Sequence, residues 1–251
     1  GIVGAEFAAK QPADGYSVFL CAIHHSVLPA LKPNLPYNIE KDFVPVSFGT
    51  LFPVVLVAHP SVPVRTVAEL IALAKSQPGK LSFASSGNGG GTHLAGELFN
   101  MHAGTQLLHV PYKGSAPAMN DLLGGQVQLM FSDAPTALAH IKSGRVRAIA
   151  VASAQRSALL PDLPTIAESG LPDYEAYSWA GFVLPAGTPK DIVARLNADI
   201  GKVLGQTDVK QRLHQVGAEA MPGSPEQFAR TLNQEITKWG KVVKAGNIQA
   251  D

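Results

Sequence analysis

Short, continuous apolar runs alternate along this chain with segments whose apolar residues recur every three or four positions. Continuous runs of this kind, rather than alternating ones, are typical of parallel strands that are covered on both faces. Because helical segments separate many of the runs at the spacing of a strand–helix–strand unit, the predicted fold class is α/β with open sheets. The predicted strands are residues 17–21, 54–58, 81–85, 107–110, 127–131, 148–152 and 181–184.

Two of the intervening helices carry clear signals at their starts. Thr66 precedes one apolar-periodic segment and Glu69 follows three residues later, which is the spacing of a capping box. Ser224 and Pro225 open the last helix in a similar way, with Gln227 in its first turn. Apolar residues recur every three or four positions in this last helix. Their spacing predicts a single apolar stripe along one face, made of Phe228, Leu232, Ile236, Trp239 and Val243.

Two strand-to-proline segments divide the chain. Residues 57–63 and 182–189 each leave a predicted strand through prolines, and about 120 residues lie between them, enough for an inserted domain. We therefore predict one lobe from residues 1–60 together with 181–251, and a second lobe from residues 61–180. Two crossings between lobes make a hinge, and a hinge around a cleft is a common way to clamp a ligand.

Composition excludes several classes of protein. Hydrophobic residues make up 46% and charged residues 16%, which is typical of a soluble globular protein. Twenty basic residues stand against 19 acidic ones, without a run of either sign, which argues against nucleic-acid binding. The longest apolar run, residues 51–58, is far shorter than the roughly 20 residues of a membrane-spanning helix. Cys21 stands alone, so no intrachain disulfide is possible, and we interpret it as a core residue.

The segment from residue 81 to residue 99 joins a predicted strand, a glycine-rich loop and a predicted helix. Glycine lets a ligand approach main-chain N–H groups closely, and a helix N-terminus adds unpaired donors with a partial positive charge. We predict that Thr92 caps the helix and that the loop binds an anion without Arg or Lys. The ligand-binding candidates in this segment are Ser85, Ser86, Gly87, Asn88, Gly89, Gly90, Gly91, Thr92 and His93.

Other interpretations of this loop are weaker. A Walker loop needs Gly-Lys-Ser/Thr, and no Lys follows these glycines. Gly87 and Gly89 fit the dinucleotide fingerprint, but Thr92 stands where its last glycine belongs. A merely flexible loop is the remaining alternative, and for His93 both ligand contact and simple packing stay open.

Two further predicted strand ends carry polar residues. Gly114 and Ser115 follow residues 107–110, and Ser115 is expected to cap the next helix. Asp133 follows residues 127–131, where a capping role and ligand contact are both open. Because open α/β sheets bind ligands at the carboxyl ends of their strands, we expect these residues to lie near the glycine-rich loop.

Three further candidates lie elsewhere in the chain. His24 lies just past a strand end, together with Ser26, and is interpreted as lining the cleft. Trp179 precedes a crossing strand and either stacks on a ligand or packs in the core. The eight histidines form no HxH or HExxH pair, so no metal site is predicted. A serine hydrolase is the enzyme alternative, but GxSxG is absent and no catalytic residues are predicted.

A series of short motifs runs along nearly the whole chain. In order, the motifs are Ala-Asp-Gly-Tyr-Ser at 13–17, Leu-Pro-Tyr at 35–37, Asp-Phe-Val-Pro-Val at 42–46, Thr-His-Leu-Ala-Gly-Glu-Leu at 92–98, Pro-Tyr-Lys-Gly at 111–114, Leu-Pro-Asp-Leu-Pro-Thr at 160–165 and Pro-Ala-Gly-Thr-Pro at 185–189. This series resembles the Bug-type (TctC-like) receptors, the periplasmic solute-binding proteins of tripartite tricarboxylate transporters.

The resemblance implies a two-lobed periplasmic-binding-protein fold (type II-like) that captures a small organic carboxylate and passes it to membrane transporter subunits. The ligand would be a dicarboxylate, a tricarboxylate, an amino acid or an aromatic acid, held by one loop from each lobe. It also implies a monomer that acts without a cofactor, without turnover and without nucleic acid. A receptor that feeds a signalling sensor and a hydrolase on a similar fold are the alternatives.

The start of the chain departs from the family pattern. It opens at Gly1 without a methionine, and residues 1–6 resemble a point after the first-lobe loop. We therefore expect a processed or truncated N-terminus, without the N-terminal part of lobe one and without a signal peptide.

Overall fold

The computed structural model describes residues 1–249. The helices are α1 Ile2–Ala9, α2 Ile23–Leu31, α3 Val67–Ser76, α4 Gly91–Ala103, α5 Ser115–Leu123, α6 Ala134–Lys142, α7 Lys190–Gly205, α8 Thr207–Gln215 and α9 Pro225–Ala245. The strands are β1 Phe19–Ala22, β2 Phe43–Ala58, β3 Ser82–Ser85, β4 Leu108–Pro111, β5 Leu129–Asp133, β6 Arg147–Val151, β7 Tyr177–Pro185 and β8 Glu219–Ala220. The α/β class predicted from the sequence is confirmed.

The chain forms two compact units, each built from segments that are distant in sequence. Unit 1 consists of residues 1–51 and 179–244, and unit 2 consists of residues 52–178 together with 245–249. Both divisions fall inside a strand, one in β2 and the other in β7. The lobe boundaries predicted after residues 60 and 180 lie further along the chain in both cases.

Unit 1 is organised around antiparallel strand pairs. β1 pairs with β7, so that Cys21 lies opposite Gly181, and the first half of β2 pairs with the short strand β8. Aromatic rings fill the core of this unit, where Trp179 meets Phe48 and Phe228 edge-on at centroid distances of 5.6 and 5.7 Å. The strand register thus places the large apolar side chains of β2 and β7 against α9.

Unit 2 contains a sheet in which β3 lies between β4 and β5, parallel to both. The second half of β2 runs antiparallel to β5 on one side and to β6 on the other. The strands near the middle of this sheet are buried throughout, from Val54 to Ala58 in β2 and from Ser82 to Ser85 in β3. Helices α4, α5 and α6 connect or follow the parallel strands, which is the arrangement expected of strand–helix–strand units.

The prediction of parallel strands is confirmed for the pairing of β3 with β4 and with β5. It is wrong for β1, β2, β6 and β7, which pair antiparallel. A continuous apolar run reports that both faces of a strand are covered, and it carries no information about direction. The strand predicted at residues 54–58 is shorter than β2. Pro45 and Pro53 interrupt the apolar pattern of β2 although both lie within the strand.

The predicted starts of α3 and α9 are confirmed. Thr66 Oγ1 accepts from the Glu69 N–H at 3.2 Å, and the Glu69 carboxylate accepts in return from the Thr66 N–H. Ser224 and Gln227 exchange the same pair of bonds at the start of α9. Three helices were missed: α1 is apolar on all sides, α2 contains Pro29, and α8 buries no residue that a hydrophobic pattern would reveal.

Candidate functional site

The strand ends predicted to converge do so in unit 2. Because β4, β3 and β5 are mutually parallel neighbours, their carboxyl ends lie at one edge of the sheet. Ser85 at the end of β3 lies opposite Pro111 at the end of β4. The loop from residue 86 to residue 90, the turn from 112 to 114 and the start of α6 all follow from this edge.

The glycine-rich loop between β3 and α4 depends on backbone angles that favour glycine. Gly87 has φ 143° and Gly89 has φ 68°, in the region that side chains with a Cβ rarely adopt. Asn88 lies half-buried between them. No Lys or Arg stands between Ser85 and His93, so any anion bound here would be held by dipoles and hydrogen bonds.

Helix α4 begins two residues earlier than predicted. Gly90 is the N-cap, and the first bond within the helix runs from the Leu94 N–H to the Gly90 carbonyl at 3.0 Å. Thr92 therefore lies in the first turn, and the prediction that it caps the helix is wrong. The N–H groups of Gly91, Thr92 and His93 precede the first intrahelical bond, so the helix itself supplies them with no acceptor.

Hydroxyl groups brace the loop from within. Thr92 Oγ1 accepts from the Ser86 N–H at 3.0 Å and lies 2.9 Å from Ser86 Oγ. Ser85 Oγ both donates to the Gly87 carbonyl and accepts from the Gly87 N–H, each at 3.2 Å. These side chains shape the loop while the N–H groups at the helix start stay directed along the helix axis.

Two stacked histidines support the loop. The rings of His93 and His109 lie 3.6 Å apart and are inclined by only 9°. His93 Nδ1 accepts from the Gly89 N–H at 3.0 Å, and its Nε2 lies 3.7 Å from a carboxylate oxygen of Glu97. His93 is only 4% exposed, so its ring packs beneath the loop. His109 Nε2 lies 2.6 Å from Ser85 Oγ.

His109 and Glu97 were not among the predicted site residues. The signal for His109 was its position two residues before the end of β4, because parallel register places it opposite Phe83 and so on the same face as Ser85. Its pairing with Ser85 resembles a nucleophile and its base. Ser85 is 0% exposed and its hydroxyl is already bonded to Gly87, so the pair positions the loop.

The second predicted loop is joined to the first. The Tyr112 N–H donates to the Ser85 carbonyl and the Gly114 N–H to the Ser86 carbonyl, both at 3.1 Å. Gly114 is the N-cap of α5 and Ser115 is its first residue, so the prediction that Ser115 caps the helix is wrong. The structure nevertheless brings both candidates to the glycine-rich loop.

Asp133 occupies the N-cap position of α6, but its side chain makes no capping hydrogen bond. Its Oδ1 instead accepts from Ser178 Oγ at 2.9 Å, so the predicted capping role is wrong. Burial raises the pKa of the Asp133 carboxyl, and the hydrogen bond from Ser178 lowers that pKa in opposition. A partly desolvated acid thus ends the strand next to β3.

The remaining candidates belong to unit 1. His24 lies half-buried against His25, with ring centroids 3.8 Å apart, and burial lowers the pKa of His24. Ser26 is buried, and its hydroxyl donates to the Ile23 carbonyl within α2 at 2.6 Å. Trp179 is 1% exposed and its indole N–H donates to Glu235, so core packing, the alternative considered for it, describes this position.

Two other features concern the class of protein. Among residues 1–249, no three His, Cys, Asp or Glu side chains are grouped so that they could hold a metal ion. In the same part of the chain, no helix is both long enough and apolar enough to cross a membrane. Cys21 is buried, and burial raises the pKa of its thiol to about 12, which keeps it protonated and unreactive.

Residues 1–248 match the family model described as the tripartite tricarboxylate transporter family receptor. The chain belongs to this family. Its relatives include the protein BugT of Bordetella pertussis, which is 37% identical over 97% of this chain and 76% of its own length. The suspected membership in the Bug-type receptors is therefore confirmed, and the protein is a solute-binding receptor by family rather than an enzyme.

Solved structures with the same fold support this assignment. Rpa4515 of R. palustris with adipate is 37% identical, with a TM-score of 0.85 over 99% of this chain and 84% of its own. The periplasmic binding protein BugD is 35% identical, with a TM-score of 0.81 over 100% and 84%. MatC of Rhodopseudomonas palustris with bound malate is 33% identical, with a TM-score of 0.79 over 96% and 84%.

Proposed function

We propose that the protein is a periplasmic receptor that captures a small organic carboxylate and delivers it to a tripartite tricarboxylate-type transporter. The observation that carries the proposal is the first turn of α4, where the N–H groups of Gly91, Thr92 and His93 have no acceptor within the helix. They stand at the carboxyl edge of a parallel sheet, which is where open α/β sheets bind ligands.

The chemistry of this loop favours a carboxylate over a phosphorylated ligand. Three backbone donors and the helix dipole suit one carboxylate group, and the loop contains no Lys or Arg to balance the higher charge of a phosphate. Ser86 and Asn88 can add hydrogen bonds from the side, and Gly114 and Asp133 border the same edge. Water bridges to more remote ligand groups would then set which carboxylate is preferred.

The relatives support the ligand class, the compartment and the partner. Two structures of 33% and 37% identity hold malate and adipate, both dicarboxylates. BugD is a periplasmic binding protein, and the family is described as that of transporter receptors. A dicarboxylate of four to six carbons is therefore the first class to test.

A ligand screen tests the proposal directly. Malate, adipate, citrate and acetate are each added to the natural full-length receptor while its thermal unfolding is followed. A ligand that binds only the folded state raises the midpoint by mass action, and an excess of about 100 Kd adds about 2.7 kcal/mol. Calorimetry then gives the affinity. If no carboxylate in the series shifts the midpoint or produces binding heat, the proposed ligand class is wrong.

A matched pair of glycine variants assigns the site. A Cβ added at Gly90 would meet only the Gly87 carbonyl and Ser86 Oγ, at ordinary contact distances of 3.7 and 3.8 Å. Gly90→Val should therefore leave the fold intact but weaken binding about 100-fold, because its methyl groups would crowd the carboxylate. Gly240→Val on α9, where a Cβ meets nothing within 4 Å, is the control. Equal affinities of the two variants would remove the loop from the site.

A further inference from the structure

We propose that His93 is a positioning residue for the glycine-rich loop: its Nδ1 accepts the Gly89 N–H, and this bond holds the loop in the shape that binds a ligand. The effect on ligand affinity rests on the proposed function. The effect on the loop does not, and it can be measured without a ligand.

The bond from Gly89 defines the state of the His93 ring. Nδ1 accepts the Gly89 N–H at 3.0 Å, so it carries no proton in this arrangement. The proton of the neutral ring is then on Nε2, which faces the Glu97 carboxylate at 3.7 Å. Gly89 has φ 68° and is buried, so its N–H has few other ways to be satisfied.

The stacked partner fixes the plane of the His93 ring. The centroids of the His93 and His109 rings lie 3.6 Å apart, and the ring planes are inclined by only 9°. His109 is also held by Ser85 Oγ at 2.6 Å, on the other side of the loop. The two rings therefore tie both ends of the loop to one small buried cluster.

The other titratable groups around α4 are few. β4 contributes His109, β5 contributes Asp133, and β3 contributes none. On α4 itself, Glu97 faces the His93 ring and His102 lies near the far end. The buried Tyr174 hydroxyl donates to the Ala95 carbonyl and stays protonated, because burial raises its pKa well above the ordinary value.

Loss of the Nδ1 acceptor would leave the Gly89 N–H without this bond, and a buried donor without a partner is costly. The loop would have to shift, and with it the start of α4. Binding of a carboxylate is therefore expected to weaken in a variant that lacks the acceptor.

Two variants distinguish the contribution of the Nδ1 acceptor from that of the imidazole ring as a whole. In His93→Asn the side-chain oxygen can take the place of Nδ1, whereas the longer side chain of His93→Gln places its amide near Nε2. Hydrogen exchange at the Gly89 amide, measured by NMR without ligand, should stay protected in the Asn variant. In the Gln variant it should become at least about tenfold faster. Equal protection in the two variants would overturn the proposal.

Ligand affinity gives the second measurement. For adipate and malate, calorimetry should find the affinity of His93→Asn close to that of the wild type and the affinity of His93→Gln about tenfold weaker. Equal affinities of the two variants for a ligand that binds the wild type would overturn the proposal.

If neither dicarboxylate binds the wild type, that failure belongs to the proposed function. Gly89 exchange in the two variants then decides the positioning role without a ligand. If the variants do not fold, the wild-type Gly89 amide decides it: slow exchange supports the bond to His93, and exchange at the rate of an unprotected amide overturns it.

Discussion

Each unit of the molecule contains a buried polar cluster next to aromatic rings, and these two clusters differ in what they hold. In unit 1 the Glu235 carboxylate accepts from the indole N–H groups of Trp179 at 3.1 Å and Trp239 at 2.6 Å, with Lys238 at 3.5 Å. Every bond in this cluster links one side chain to another. Its consequence is a fixed packing of two large aromatic rings.

In unit 2 the cluster of Ser85, His93 and His109 ends on backbone instead. Its hydrogen bonds reach Gly87 and Gly89 in a loop, and beyond that loop lie N–H groups that no helical acceptor satisfies. Polar side chains are therefore buried both in the cluster that stabilises the core of unit 1 and in the cluster that supports the candidate site of unit 2. What distinguishes the candidate site is a set of backbone N–H groups that have no acceptor within α4 and that border a loop held in place by side chains.

The largest effect on stability should come from Glu235. Glu235→Ala leaves two buried indole N–H groups without an acceptor, so the free energy of unfolding should fall by about 3 kcal/mol or more. Urea unfolding followed by tryptophan fluorescence measures this directly, since both tryptophans of the chain lie in the cluster. Glu235→Gln keeps an acceptor and should lose less. Equal losses in the two variants would show that the hydrogen bonds do not hold the core.

In unit 2 we expect a smaller loss of stability than that of Glu235→Ala, together with a loss of affinity for the carboxylate. Thr92→Val removes the acceptor of the Ser86 N–H, which should cost about 1 kcal/mol of stability and weaken carboxylate binding about tenfold. Thr66→Val is the matched control, because it removes the acceptor of the Glu69 N–H at the start of α3. Calorimetry should find its affinity unchanged. Equal affinities in both variants would contradict the bracing role of Thr92.

The smallest effect concerns Asp133 and depends on pH. Burial raises the pKa of this carboxyl in the folded state, so the folded protein binds the proton more readily than the unfolded chain does. The charged form therefore costs stability above the folded pKa, and the cost disappears as the pH falls below the unfolded value of about 3.9.

Asp133→Asn keeps an oxygen for Ser178 and removes the charge. It should raise the free energy of unfolding at pH 7 by less than about 1 kcal/mol, with the gain shrinking toward pH 4. Unfolding titrations at both pH values measure the difference. A variant that is less stable than the wild type at pH 7 would mean that the negative charge is satisfied in the folded state.

The sequence by itself determined the local features of this protein. Thr66 and Ser224 cap helices in the structure as their spacing predicts, because capping boxes involve residues only three positions apart. The glycine-rich loop between a strand and a helix is likewise a continuous segment. The family could be recognised for the same reason, since its motifs are short and keep their order.

Tertiary structure alone decided which residues meet across the chain. Ser85 and His109 are 24 positions apart, Asp133 and Ser178 are 45 apart, and Trp179 and Glu235 are 56 apart. Strand register and helix packing bring each pair together, and a sequence pattern with a period of two or about four residues carries no information on either. For this reason His109 was missed, and Trp179 was a site candidate although its indole belongs to the core.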